Sequence, residues 1–108
     1  MAEFIKGDVV PFPFSNLTNT KRRPALVITK LSGDDLILCQ ITSKNVSDSY
    51  GILITEKDFL SGSLNQISNI RPNKLFTADS KIILYKIGSL KLEKMQEIIQ
   101  SIIKIIQS

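Results

Sequence analysis

Over the first ninety residues, apolar and polar positions alternate with a period of two, the spacing of a half-buried β-strand. Residues 7–14 predict a strand with Val10, Phe12 and Phe14 on one face. Pro11 and Pro13 lie two apart and turn their missing N–H groups to the same edge, so this strand belongs at a sheet margin or pairs on one side only. Residues 15–21 (Ser-Asn-Leu-Thr-Asn-Thr-Lys) are polar turn formers and predict a loop. Two β-rich runs, 25–31 and 36–43, flank Ser32-Gly33-Asp34-Asp35, a strong hairpin signal. Weaker strands are predicted at 50–55, around 66–70 and at 74–77, and a clear one at 81–87.

The period then changes. Leu92, Met95, Ile98, Ile99, Ile102, Ile103 and Ile106 recur at helical spacing through residues 92–107, with Lys, Glu and Gln between them. A stripe of this width belongs against the body of a domain rather than on a membrane surface. The fold expected is mainly β with a C-terminal α-helix, a single domain over 1–108 built as a small, closed or nearly closed barrel.

Composition narrows the function. A hydrophobic content of 43% and a charged content of 22% are those of a soluble globular chain. No apolar stretch approaches the ~20 residues needed to cross a bilayer, and the N-terminus has no signal-peptide pattern, so the expected location is the cytoplasm with no membrane association. A net charge of +4 and a pI near 9.3 favour an acidic partner, either nucleic acid or an acidic protein segment. Cys39, the one cysteine, lies in the apolar run Leu36-Ile37-Leu38-Cys39 and reads as a buried thiol. With no histidine and no second cysteine, neither a disulfide nor a zinc site is expected, and no metal or other cofactor is called for. Acid–base chemistry would have to proceed without an imidazole.

All three arginines stand where an anion can be held, Arg22 and Arg23 at the start of the second strand and Arg71 after Gln66-Ile67-Ser68-Asn69-Ile70. Guanidinium is a rigid, permanently charged fork suited to phosphate. On the strand 36–43, Gln40 and Thr42 share one face, and Thr42-Ser43-Lys44 offers two hydroxyls and a lysine at the strand end. A hairpin turning near Gly33 brings residues near 23 and 43 together, so Arg23 meets Thr42 or Ser43 at one end of the sheet. Arg22 reads as a steering or solvated charge beside Lys21. Arg71 stands between RNA binding and a structural ion pair, and Asp8 reads as a turn residue.

Gly7-Asp8-Val9-Val10, Arg23-Pro24-Ala25-Leu26-Val27-Ile28, Gln40-Ile41-Thr42-Ser43-Lys44 and Gly88-Ser89-Leu90 resemble, in order and spacing over nearly the whole chain, the MazF/PemK (Kid-like) toxins of type II toxin–antitoxin modules. The resemblance implies an SH3-like barrel with an appended helix, a homodimer, and a metal-independent endoribonuclease acting on single-stranded RNA. It assigns catalysis to Arg23 and Thr42, leaves Lys21, Arg22, Ser43, Lys44 and Arg71 to bind RNA, and implies an acidic antitoxin as protein partner. At Lys74 the chain has a base where the family often carries an acid. Two other readings fit the same barrel: an inactive module binding nucleic acid or protein, and a toxin directed at a topoisomerase.

Overall fold

The computed structural model describes residues 3–15 and 20–108. The expected loop at 15–21 lies largely outside them; its ends, Ser15 and Thr20-Lys21, are strand residues. Seven strands form one antiparallel sheet: β1 (Asp8–Ser15), β2 (Thr20–Lys30), β3 (Asp35–Thr42), β4 (Ile52–Ile54), β5 (Phe59–Gly62), β6 (Ser68–Asp79) and β7 (Gly88–Leu90). The helix α1 (Leu92–Gln107) closes the chain with the bounds its periodicity predicts. Strand order is β4-β6-β3-β2-β1-β7-β5. The end strands do not pair with each other, so the barrel is open, a half-barrel.

The sheet is buried on both sides because alternate residues of its central strands are apolar on both faces. Val9, Leu26, Cys39, Ile41 and Ile70 pack against Met95, Ile98 and Ile102 of α1. Val10, Ala25, Val27, Leu36 and Leu38 form the opposite layer, covered by Phe4 and Ile83 and continued by Phe12 and Phe76. Cys39 is fully buried, and its burial pushes the thiol pKa up to about 12, which keeps it an unreactive hydrophobe.

The prolines of β1 act as their spacing requires. Along β2 the strand is paired from Val9 to Ser15, but its other edge meets β7 only at Asp8 and Val9, before Pro11. The weak strands at 66–70 and 74–77 are one strand, β6. Its pairing with β3 steps from Cys39↔Leu75 to Gln40↔Arg71, leaving Pro72, Asn73 and Lys74 as an irregularity. Pro72 has no N–H to give the ladder, which accounts for the break in the pattern.

Residues 81–87 do not form the expected strand. Asp79 accepts from the Lys81 N–H at 2.8 Å and starts a 3-10 turn, Ser80–Ile82. Of the apolar run that follows, Ile83 is buried while Leu84 and Tyr85 are exposed. β-Propensity without a neighbouring ladder does not make a strand. The strand begins at Gly88, which pairs with Gly62 of β5; a Cβ on either glycine would run into the facing backbone. β5 itself buries only Phe59, so it carries no alternation for the sequence to reveal.

The helix separates packed from exposed isoleucines sharply: Ile98 is fully buried and Ile106 is 71% exposed. Replacing Ile98 with Ala should cost about 3 kcal/mol, the usual scale for emptying a core aliphatic site. Ile106→Ala should change stability by less than about 0.5 kcal/mol. Urea unfolding of the two variants checks this.

Candidate nucleic-acid interface

The Ala25↔Gln40 pairing of β2 and β3, continued by two residues, sets Arg23 opposite Thr42. Both side chains line a cleft of about 410 Å³, together with Lys44 and Arg71. Arg71 arrives from β6, where it pairs with Gln40. The hairpin register thus brings Arg23 and Thr42 together as expected, and β6 adds the third arginine.

The cleft lies at the end of the sheet layer opposite α1. There the apolar layer finishes in three aromatic rings: Phe12 contacts Phe14 and Phe76 at centroid distances of 4.9 Å each, and Phe14 contacts Phe76 at 5.5 Å. Phe14 forms one wall of the cleft. The opposite wall is the connection between β3 and β4, through Lys44, Asn45, Val46 and Ser47. Thr42 Oγ1 accepts the backbone N–H of Lys44 at 3.1 Å, which curls the chain at the strand end and leaves the hydroxyl proton to be donated outward.

Arg71 pairs with Asp48, its Nη2 lying 2.9 Å from Oδ2. Asn73 Nδ2 donates to the same oxygen at 3.2 Å, and the Tyr50 N–H donates to Oδ1 at 2.9 Å. The backbone donor of Tyr50, then Arg71 and Asn73, hold the Asp48 carboxyl below the usual aspartate range. Among the described residues Arg23 enters no ion pair. The cleft is therefore cationic: Arg23, Lys44 and Arg71 line it, and Asp48, which pairs with Arg71, is outside the lining.

The remaining candidates sit elsewhere. Consecutive strand residues point to opposite faces, so Arg22 turns away from Arg23. Arg22, Lys21 and Ser43 are exposed and none lines the cleft. Asp8 is buried, accepts the Ile5 N–H at 2.9 Å and lies 3.8 Å from Lys86, so it fastens the N-terminal turn. Sequence reasoning missed Phe14 as a wall, the 45–47 segment and the Asp48–Asn73 contact. Asp48-Ser49-Tyr50-Gly51 does carry the composition of a turn, but a turn signal says nothing of a partner on another strand.

A larger cleft of about 550 Å³ lies between 55–59 and 63–67. It has no arginine, and its Lys57 stands beside Glu56, so charge favours the smaller cleft for an anion.

Residues 5–106 match the family described as PemK-like, MazF-like toxin of type II toxin-antitoxin system. The chain belongs to this family. The fold agrees with solved structures of MazF toxins. A MazE–MazF structure from Deinococcus radiodurans superposes with a TM-score of 0.75 at 16% identity, over 95% of this chain and 95% of that one. The Mycobacterium tuberculosis toxin MazF-mt6 gives 0.73 at 15% identity, over 93% and 96%. A mycobacterial endoribonuclease solved with its cognate antitoxin gives 0.73 at 13% identity, over 97% and 96%. No curated protein sequence matches the chain. Among the described residues, no helix of this toxin-family chain is long and apolar enough to cross a membrane.

The depressed carboxyl sets the pH range of the Asp48 contact. Its ordinary value is 3.8, and a lowered folded-state value means the stabilisation is complete above that value and is lost as pH falls through the lower one. Amide exchange of the 43–51 segment, corrected for intrinsic rate, should be constant from about pH 8 to about pH 5 and accelerate only below about pH 4.

Proposed function

We propose that this chain is an endoribonuclease toxin that cleaves single-stranded RNA without a metal ion and is restrained by an acidic antitoxin. The observation carrying this reading is the convergence of Arg23, Thr42 and Arg71 on one cationic cleft beside an aromatic wall. In the proposed reaction the ribose 2′-oxygen attacks the adjacent phosphorus and the bond to the 5′-oxygen breaks. The 2′-proton is lost and the leaving oxygen takes up a proton, giving a 2′,3′-cyclic phosphate and a 5′-hydroxyl. RNA supplies its own nucleophile, so the protein must align the attack and stabilise charge on the non-bridging oxygens. Arg23 and the Thr42 hydroxyl take that charge, while Arg71 and Lys44 hold the flanking backbone. Lys21, Arg22 and Ser43, outside the cleft, extend the basic surface along which a strand approaches. Working on cellular RNA places the protein in the cytoplasm. The family kinship and the likeness to MazF in MazE–MazF structures support an antitoxin partner; a homodimer belongs to the same proposal.

Purified protein incubated with a mixed-sequence RNA in EDTA should yield 2′,3′-cyclic phosphate ends. A substrate with 2′-deoxyribose at the scissile position should bind and stay intact; cutting of that substrate rules the mechanism out. Arg23→Ala should lower the rate by ~10²–10³, the scale for removing one donor from a developing charge. Arg22→Ala should act mainly on binding and flatten its salt dependence.

The basic face also predicts the partner's chemistry. An extended acidic segment covering Arg23 would exclude RNA by occupying the same charges. Expression of the chain alone should arrest growth, and co-expression with the adjacent small reading frame should restore growth and yield a complex. Normal growth with no complex would instead favour an inactive binding module.

A further inference from the structure

Asp48 follows the cleft-lining segment 44–47 and pairs with the cleft's Arg71, and its geometry is that of a clamp rather than a base. Both oxygens are engaged, Oδ1 by the Tyr50 N–H at 2.9 Å and Oδ2 by Arg71 at 2.9 Å and Asn73 at 3.2 Å. A carboxylate with three donors, held below its usual pKa, is a poor proton acceptor. What the contacts do is mechanical. Asp48 belongs to the β3–β4 connection that walls the cleft, while Arg71 and Asn73 belong to β6 beyond it. Asn73 reaches Asp48 from the irregular step after Pro72, where the ladder with β3 is broken and the strand is released from its register.

Asp48 engages one terminal nitrogen of Arg71, and the guanidinium carries five N–H donors. Among the described residues the buried Nε of Arg71 has no acceptor. An unsatisfied buried donor is costly until an acceptor reaches it. A guanidinium fixed at one nitrogen presents its remaining N–H groups in one orientation, which a non-bridging phosphate oxygen can use.

We infer that Asp48 is a positioning residue that acts through Arg71, holding its guanidinium in the orientation that aligns the RNA phosphate in the cleft. This rests on the ribonuclease reading above. Alignment enters the turnover step, so losing Asp48 lowers kcat more than it weakens binding; displacing a positioned group by about 1 Å costs up to ~10²-fold.

The test compares Asp48→Ala, Asp48→Asn, Arg71→Ala and the Asp48→Ala/Arg71→Ala double variant, each confirmed folded by circular dichroism, on one single-stranded RNA in EDTA. Asp48→Ala should lower kcat by roughly ten- to a hundredfold with KM changed by less than about threefold. Asp48→Asn keeps an acceptor for Arg71 and should recover part of that loss. In the Arg71→Ala background, Asp48→Ala should cost little more, the non-additivity of two residues acting as one unit. Wild-type kcat in Asp48→Ala, or losses that simply multiply in the double variant, overturn the inference while leaving the ribonuclease reading in place. Wild-type protein that leaves the RNA uncut overturns that reading, and the inference with it.

Discussion

The register between β2 and β3 is the constraint from which the cleft follows. Side chains alternate along a strand, so a one-residue slip would carry Arg23 to the other face of the sheet, away from Thr42 and the cleft. Two apolar layers prevent that slip, because Leu26 and Cys39 must face α1 while Ala25, Val27 and Leu38 face the opposite layer. The pairing shifts once, between Val27 and Thr29, where Ile28 is the extra residue. On the side of that step away from the turn, the strands run in register from Val27↔Leu38 to Ala25↔Gln40. The placement of Arg23 and Thr42 is thus set by the burial of neighbouring residues on the same two strands, beginning with Ala25 two positions away.

Where a segment is buried in alternation on a central strand, the sequence exposed it. The hairpin of β2 and β3, the one-sided pairing of β1 past Val9 and the bounds of α1 were all legible, because each follows from local period or from proline's missing donor. Legibility ended where partners decide. Phe59–Gly62 is a strand because Gly88 faces Gly62 across a close backbone approach, and residues 81–86 are not one because, among the described residues, no strand pairs with them. Propensity cannot express either fact.

The same division runs through the site. Arg23 and Thr42 were legible as a pair because two strands joined by a short turn have a register that can be counted. Arg71 was legible as a cation, with its role open between an ion pair and RNA. The structure gives it both an ion pair and a place in the cleft wall. Asp48 was not legible, since its partners lie 23 and 25 positions away. Nor was the separation of Arg22 from Arg23 drawn from their adjacency, though alternation alone implies it.

Pro11 and Pro13 bear on more than strand order. An open sheet carries free edges, and a free edge is a template on which another chain can grow by backbone hydrogen bonding. Past Val9, the edge of β1 that faces away from β2 has no partner strand among the described residues. Two of its residues have no hydrogen to offer an incoming strand. A half-barrel can thus stay open at this margin without inviting edge-to-edge aggregation, a safeguard set into the backbone that no change of salt or pH can remove.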